Sequence, residues 1–321
     1  MTRKLTIDDL RKAAERLKNW GRWGDSDEIG TLNYIEPGDV VAAAQLVRKG
    51  KVMSLALPFD SSGPQGAKTN YPPLGRFNPI RLMVRTGTDA YSGVLDARRI
   101  RTAEDVLIMP TQSGTQWDGL SHVFYGDHMW NGYDCRNVSS FGAAKCGIEK
   151  TKDKMVGRGV LLDIPKMLDL AYLPAGFAIT GELLDRAIRH FQTEVGRGDF
   201  LIVRTGNMEE KLAAGSWDGY PGGDAPGLSF ETLDWLQEKR VAAVATDTFA
   251  VEVRPNEIED VVSPFHWIAI PILGLTLGEM FYVAELANDC AADGRYEFMF
   301  VAPTLPITGA VGSPTNPLAI K

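Results

Sequence analysis

The sequence predicts an α/β fold: a single domain built on a mixed, largely parallel sheet with long loops. Apolar runs of strand length alternate with amphipathic helical patterns in the second half of the chain, and their short connections favour parallel pairing. A chain of 321 residues can form one large domain over residues 1–321, and it shows neither an internal repeat nor a clear linker. The alternating elements are strand 160–163, helix 181–195, strand 200–203, a helix capped by Ser229, and strand 241–245.

The first part of the chain, to about residue 50, predicts a helical arm. Residues 6–18 form an amphipathic pattern for which Thr6 is the expected N-cap. A second helix is expected from Pro37 to Gly50, since proline favours the first helical position and glycine the end. Between the helices, Trp20 and Trp23 lie among glycines. This loop either covers a pocket as a lid or anchors the arm to the domain.

Further strands are predicted on either side of these elements. The apolar run Val106–Met109 ends at Pro110 and is typical of a buried strand that delivers the next residues to the edge of a sheet. Two Pro/Gly-rich segments lack a regular pattern, and loops of that length usually have a function or cover something. The other predicted strands are 52–57, 80–84 and 296–301, and the irregular segments are 58–79 and 303–317.

Composition and charge exclude several classes of function. With a net charge of -7, the chain lacks the excess of basic residues that nucleic acids and anionic membranes require. No apolar run is long enough to span a bilayer, and the N-terminus lacks the apolar core of a secretory signal. The three cysteines form no CxxC pair and indicate ordinary thiols in a reducing compartment. We therefore expect a cytoplasmic protein that acts on a small molecule.

One short segment, from Gln112 to His122, concentrates amides, a carboxylate and an imidazole. Gly114 and Gly119 allow the backbone to bend sharply there. Polar groups held at the end of a buried strand cost free energy unless a partner satisfies them. The segment therefore predicts a site for a metal ion, a substrate or both.

The four histidines of the sequence differ in their surroundings. His190 lies on a predicted helix and is expected to face solvent, and His128 lies in an aromatic loop without the spacing of a ligand. His122 and His266 each lie near a carboxylate in an apolar or glycine-rich segment. One such histidine is more often a core residue with its hydrogen bonds satisfied, but two such segments favour a functional site. The nearby carboxylates are Asp118 and Glu279.

Other features of the sequence narrow the chemistry. Thr205 and Asp247 follow two predicted strands, and ligand sites in α/β sheets gather beyond such strand ends. The sequence contains no GxSxG nucleophile elbow, no P-loop, no HExxH helix and no credible dinucleotide-binding GxGxxG. These absences leave the histidine and carboxylate segments as the best candidates for a site.

Those segments match a known signature, His-x-Gly-Thr-His-x-Asp-x-Pro-x-His, which is followed far downstream by a His and a Glu. The sequence resembles the cyclase-like family of metal-dependent hydrolases, which includes bacterial kynurenine formamidase and isatin hydrolase. The likeness extends over most of the chain, from about Trp20 to Pro303, and implies a swivelling β/β/α-type domain. The matching residues are Gly114, Thr115, Asp118 and His122, with His266 and Glu279 as the downstream pair.

Three positions depart from that signature. Gln112 and Gln116 stand in place of the first two histidines, and Leu120 stands in place of the proline. Amide oxygens bind divalent transition ions less tightly than imidazole does. The resemblance therefore implies a single ion, Mn²⁺ or Zn²⁺, and leaves loss of the metal open. The implied ligands are Asp118, His266, Glu279 and, more weakly, Gln116.

The resemblance also implies a reaction. Metal-activated water would attack the carbonyl of a small cyclic or aryl amide and break its C–N bond, with His122 as general base and then general acid. The alternatives are a lactone or ester hydrolase, or a cyclase, on the same site, and a non-catalytic small-molecule-binding protein. A homo-oligomer, dimer or tetramer, is expected because family members commonly associate. The predicted substrate-binding side chains are Trp20, Trp23, Trp117, Phe124 and Tyr125, with core packing an equal alternative for Phe124.

Overall fold

A mixed β-sheet forms the centre of the protein, which a computed structural model describes over residues 4–68, 75–258 and 260–321. The strands are β1 Val52–Ser54, β2 Ile80–Arg85, β3 Glu104–Ile108, β4 Gln116–Asp118, β5 Val138–Ser139, β6 Gly142–Ala143, β7 Val156–Asp163, β8 Ala178–Ile179, β9 Phe200–Arg204, β10 Gly227–Leu228, β11 Ala243–Thr246, β12 Thr276–Glu279, β13 Glu297–Val301, β14 Gly312–Pro314 and β15 Leu318–Ile320. The α-helices are α1 Ile7–Arg16, α2 Pro37–Ala44, α3 Gly87–Tyr91, α4 Ile164–Met167, α5 Gly181–Phe191, α6 Asn207–Ala214, α7 Thr232–Lys239, α8 Pro264–Ile268 and α9 Ala284–Asp293.

Parallel strands form the middle of this main sheet. The strands β7, β9, β11 and β12 run parallel in this order, and antiparallel strands extend the sheet on both sides. Over the described residues the full order is β1-β15-β13-β7-β9-β11-β12-β4-β14. The observed sheet confirms the predicted α/β class.

The first helix forms where its capping signals place it. Thr6 accepts a hydrogen bond from the N–H of Asp9, and the Asp9 carboxylate accepts one from the N–H of Thr6. This reciprocal pair satisfies two N–H groups that the first turn leaves without partners, and Leu10 is buried behind it. The helix predicted over 6–18 is thus confirmed as α1. Within the described part of the chain, no helix is both long enough and apolar enough to cross a bilayer.

Two other helices differ from their predicted bounds. α2 ends at Ala44 and does not continue to Gly50. α5 stops at Phe191, before the predicted end at residue 195, because Gln192 adopts a left-handed conformation with φ 50°. A left-handed residue breaks the helical hydrogen-bond pattern, so the apolar residues beyond it pack from a loop.

The strand predicted over Val106–Met109 is the main correction to the fold. The segment does form a strand, β3, but among the described residues β3 pairs only with β2, in a separate two-stranded ribbon. Its side chains are not buried: Val106 is 43% exposed, Leu107 50% and Ile108 47%. The prediction of a buried strand was wrong because an apolar run by itself does not distinguish a core strand from an exposed ribbon.

Other segments also differ in extent. The strand predicted over 52–57 ends at Ser54, since Leu55 and Leu57 donate their N–H groups to Pro317 and to the Thr115 hydroxyl in loops. The segment 303–317, predicted to lack regular structure, contributes the buried strand β14 beside β4. In the irregular segment 58–79, residues 69–74 lie outside the described residues.

The core side of β4 is occupied by Trp117. This side chain is fully buried, and its ring packs edge to face against that of Phe281 with 5.2 Å between the ring centres. Its Nε1 donates a hydrogen bond to the carbonyl of Ala302 at 3.0 Å. Side chains alternate between the two faces of a strand, so Trp117 points away from its neighbours Gln116 and Asp118. Gly278 lies directly opposite on β12, where a Cβ would come within 2.8 Å of the Trp117 ring. The tryptophan therefore fixes the core beneath the candidate site.

Candidate metal centre

The register between β4 and β12 brings the predicted ligands together. Glu279 at the end of β12 lies directly across from Gln116 at the start of β4, and Asp118 lies two residues further along the same face. His266 approaches this face from α8, a short helix that begins with Pro264. All four side chains are buried, so their polar atoms depend on one another for partners.

Short distances connect these groups. Nε2 of His266 lies 3.2 Å from Oε1 of Glu279 and 3.9 Å from Oδ2 of Asp118. The Gln116 amide nitrogen donates to Glu279 at 2.9 Å and to Asp118 at 3.2 Å. The structure therefore assembles two carboxylates, an imidazole and an amide around one point.

A further carboxylate, Glu252, holds His266 from behind, and sequence reasoning missed it. Its Oε1 lies 2.5 Å from Nδ1 of His266, while its Oε2 accepts the N–H of Phe265 at 2.9 Å. The only sequence signal is one acidic residue in the apolar run from Phe249 to Val253. With Nδ1 engaged by Glu252, Nε2 is the nitrogen that faces Glu279 and Asp118.

Burial and neighbouring charges shift the pKa values of this cluster. Burial alone lowers the pKa of His266. Glu252 and Glu279 outweigh this effect through their hydrogen bonds to the imidazole and their negative charges, and they raise the pKa to about 10. Burial and the charge of Asp118 raise the pKa of Glu279, and His266 and Arg76 oppose them. Without a metal ion, His266 therefore carries a proton at neutral pH and offsets part of the acidic charge.

The donor set fits a divalent cation. One ligand atom each from Asp118, His266 and Glu279 lies within 4.8 Å of the other two. The carbonyl oxygen Oε1 of Gln116 is buried and has no hydrogen-bond donor among the described residues. An unpaired buried acceptor is costly, and turning the amide over would present this oxygen, in place of the nitrogen, to a cation shared with the carboxylates. Imidazole with oxygen donors suits Zn²⁺ or Mn²⁺.

His122 lies at the edge of this cluster and not within it. Its Nε2 is 3.8 Å from Oδ1 of Asp118, and its side chain is 22% exposed, whereas that of Asp118 is 2% exposed. The side chain therefore reaches both the acidic floor and the solvent-accessible space above it. This position suits transfer of a proton to or from a bound molecule.

A pocket of about 150 Å³ opens above the cluster. Its floor is acidic, and its walls contain apolar and basic side chains that sequence reasoning did not find. Small ligand pockets commonly combine an apolar wall with a few directed polar groups. The lining residues are Arg76, Asp118, His122, Val123, Phe249, Ala250, Arg254, Ser263, His266, Trp267 and Glu279.

The aromatic residues predicted to bind substrate lie elsewhere. Trp117 belongs to the core, on the face of β4 opposite the site. Trp20 and Tyr125 line a separate surface pocket beside α1, where Trp20 also donates to the carbonyl of Pro271 at 2.7 Å. Trp23 packs against the rings of Tyr34 and Trp130. Phe124 is partly buried and does not line the pocket above the cluster.

Three further polar residues from the sequence analysis also lie away from the cluster. Asp247 accepts hydrogen bonds from the N–H and hydroxyl of Thr205 and from the N–H of Gly206, so it stabilises the turn after β9. Burial and the charge of Glu209 raise the pKa of Asp247 to about 6. Gln112 is buried and accepts from the Thr111 hydroxyl at 2.9 Å, and within the described residues no hydrogen bond joins its side chain to Asp118, His266 or Glu279.

Comparison with known proteins gives a family and a set of similar folds. The family model described as "Putative cyclase" matches residues 33–253. A solved structure of a novel cyclase is 40% identical, with 96% of this chain and 99% of that chain covered and a TM-score of 0.84. No curated protein matches the sequence.

More distant solved structures share the fold alone. Isatin hydrolase A from Labrenzia aggregata, bound to benzyl benzoate, is 17% identical over 88% of this chain and 97% of its own, with a TM-score of 0.60. Isatin hydrolase A from Ralstonia solanacearum is 15% identical over 84% of this chain and 91% of its own, with a TM-score of 0.61. These matches support the predicted α/β architecture at low sequence identity.

Proposed function

The chain belongs to the cyclase family, and from this premise we propose that it is a metal-dependent hydrolase that cleaves the C–N bond of a small cyclic or aryl amide. The observation that carries the proposal is the buried group of Asp118, His266 and Glu279 at the floor of a pocket, beside the unpaired oxygen of Gln116. Buried acidic groups so close together are costly unless a cation compensates them. A pocket directly above them gives a carbonyl compound access to that cation.

The ion would be held by one oxygen each of Asp118 and Glu279 and by Nε2 of His266, with the Gln116 carbonyl as a weaker ligand. When bound, Zn²⁺ or Mn²⁺ supplies a water of lowered pKa and polarises a carbonyl group. Glu252 keeps the proton of a neutral His266 on Nδ1, because its carboxylate accepts there at 2.5 Å. The apolar side chains of Phe249 and Trp267 support an aromatic or cyclic substrate.

In this proposal His122 carries the proton between the two halves of the reaction. It accepts a proton from the attacking water as the water oxygen bonds to the carbonyl carbon. It then donates that proton to the nitrogen as the C–N bond breaks, so the products are a carboxylic acid and an amine. The partial exposure of His122 and its 3.8 Å distance from Asp118 support this role.

A binding protein without catalysis is the second candidate, because one observation favours it. The Gln116 amide nitrogen donates to both Glu279 and Asp118, and thereby occupies the side of the cluster where a cation would bind. In that candidate the amide and a protonated His266 replace the metal ion as the partners of the carboxylates.

Metal analysis separates the two candidates. We expect protein purified without added ions to contain, or to take up, about one Zn²⁺ or Mn²⁺ per chain, and Asp118→Asn to lose it. Binding should also raise the midpoint of thermal unfolding. Wild-type protein that neither retains nor takes up either ion, and is not stabilised by it, would support the binding protein.

A substrate screen with the metal-loaded protein then tests the reaction. We expect turnover of aryl formamides or cyclic imides. Turnover of lactones alone would instead indicate the ester-hydrolase alternative. His122→Ala should keep the metal and lose at least about a hundredfold in kcat. A His190→Ala variant, changed on the distant helix α5, serves as the matched control.

We also propose that two copies of the chain associate through the β2–β3 ribbon. Leu82 and Val106 are paired across the ribbon, and both are exposed. An isolated two-stranded ribbon with exposed apolar side chains is marginally stable in water, so a partner surface is expected. Arg81 and Arg85 are paired with Asp105 and Glu104 within the ribbon, so its charges balance and do not repel a second copy.

A further inference from the structure

Arg76 is a basic side chain in a pocket whose floor is acidic. It precedes β2 and lines the pocket together with Asp118, His122 and Glu279. Its Nη1 donates to the backbone carbonyl of Gln112 at 3.3 Å, and its guanidinium carbon lies 5.5 Å from the centre of the Phe249 ring. A hydrogen bond and a cation–π contact therefore hold the guanidinium group at the wall of the pocket.

In the described part of the chain this guanidinium group forms no ion pair, although its charge acts on Glu279 and opposes the rise of the Glu279 pKa. Among the residues that the structure describes, no Asp or Glu oxygen lies within 4.0 Å of an Arg76 nitrogen, and the hydrogen bond of Arg76 to the Gln112 carbonyl uses only Nη1. Arg254, the other arginine of the pocket, is instead engaged with the Gly222 carbonyl and the Ser263 hydroxyl. Arg76 therefore has further N–H donors that are available to a ligand in the pocket that it lines.

A bound metal ion would offset the acidic charge that faces Arg76 in the metal-free pocket. A divalent cation at Asp118, His266 and Glu279 and a guanidinium on the wall would share a space of about 150 Å³. The two charges of the ion would offset those of Asp118 and Glu279, so the guanidinium would lose its compensating negative charge, and a neutral amide would not supply one. An anionic group on the substrate would, because it attracts the guanidinium and is attracted by the ion.

We propose that the substrate is an aryl amide that also carries a carboxylate, and that Arg76 binds this carboxylate. The planar guanidinium matches the two oxygens of a carboxylate better than a lysine would. Phe249 and Trp267 provide the apolar wall for the ring that joins the carboxylate to the amide. This inference rests on the proposed hydrolase function, and it makes Arg76 the residue that selects anionic over neutral substrates.

Two probes that differ only by a carboxylate test the inference with metal-loaded protein: N-formylanthranilate and formanilide. Wild type should hydrolyse N-formylanthranilate with the higher kcat/KM. Arg76→Met should reduce that value by roughly tenfold or more, mainly through KM, while formanilide changes less than about twofold. Arg76→Lys should recover part of the loss. Arg189→Met, an exposed change on α5, is the matched control and should behave as wild type.

The outcomes separate this inference from the proposed function. If wild type hydrolyses both probes equally and Arg76→Met changes neither or both alike, the inference is wrong and the hydrolase stands. If wild type hydrolyses neither probe nor any other amide, the proposed function fails. The role of Arg76 in carboxylate binding is then tested by the thermal shift that a ligand produces. Anthranilate should then raise the unfolding midpoint of wild type but not of Arg76→Met, with aniline ineffective on both. An equal shift in the two proteins would reject the role of Arg76.

Discussion

The Glu252 carboxylate lies 2.5 Å from Nδ1 of His266, and the same carboxylate accepts the N–H of Phe265. The first contact keeps the proton on Nδ1 when the imidazole is neutral. The second fixes the carboxylate itself to the start of α8. Because the pair is buried, neither contact is exchanged with water, so Nε2 of His266 is held towards Glu279 in advance of any ligand.

Glu252→Gln should weaken metal binding while leaving the fold intact. The amide keeps the size of the side chain but removes the charge that orients His266 and increases its basicity. We expect the metal dissociation constant to rise by about 10- to 100-fold, as found for partners behind metal ligands. Titration with Zn²⁺ against a competing chelator measures this change. Glu285→Gln, an exposed change on α9, is the control, and equal affinities in both variants would argue against a positioning role.

Metal affinity should rise with pH. In the metal-free site the pKa of His266 is raised to about 10, so the group is protonated throughout the range from pH 6 to 8. Nε2 must lose this proton to bind an ion. At pH values below the pKa, the deprotonated fraction grows tenfold for each unit by which the pH rises. We therefore expect the Mn²⁺ affinity to rise by about tenfold per unit, with about one proton released. Calorimetry in two buffers of different ionisation enthalpy counts that proton, and a flat profile would contradict the assignment of His266 as a ligand.

Gln116→His should strengthen the site. Gln116 already contacts Asp118 and Glu279, and imidazole binds Zn²⁺ more tightly than an amide oxygen does, so a gain of about tenfold or more in affinity is expected. Gln112→His is the matched comparison, because in the described structure the Gln112 side chain bonds to Thr111 and not to the carboxylates of the centre. If the substitution at 112 strengthens binding as much as that at 116, the four-residue centre described above is incomplete.

Polar substitutions on the ribbon should dissociate the oligomer. Leu82→Ser combined with Val106→Ser removes one cross-strand apolar pair from the exposed surface. We expect the dimer dissociation constant to rise by at least about tenfold in sedimentation velocity, from the loss of buried apolar area. Val41→Ser, an exposed apolar position on α2, should leave association unchanged. Monomeric wild-type protein at micromolar concentration would refute the proposed association.

Sequence patterns were sufficient for elements whose signals are local. The capping box at Thr6 and Asp9 specifies α1 within a few residues, and the apolar runs at 200–203 and 241–245 form the parallel centre of the sheet. Asp118, His122, His266 and Glu279 were identified because polar side chains in apolar or glycine-rich surroundings require partners, and because their spacing resembles a family signature.

Properties that depend on long-range contacts were not accessible in this way. Glu252 and Arg76 reach the site only through packing between distant segments. The apolar run around Glu252 is a weak local signal, and nothing in the immediate sequence of Arg76 distinguishes it from a surface charge. Trp117 was assigned to the pocket because its neighbours are ligands, but strand alternation turns it into the core. The run Val106–Met109 was assigned to the sheet because its composition does not reveal that β2 is its only strand partner among the described residues.

The pairing of β4 with β12 also sets a time order for folding. Gln116 and Glu279 are 163 residues apart in the chain, and β4 is itself enclosed by β12 and by β14 from the C-terminal segment. Closing so long a loop is slow relative to local helix formation. A refolding chain should therefore acquire most of its helical signal before it gains affinity for an ion. The rate of metal uptake in a stopped-flow refolding experiment would therefore report the rate at which β4 pairs with β12.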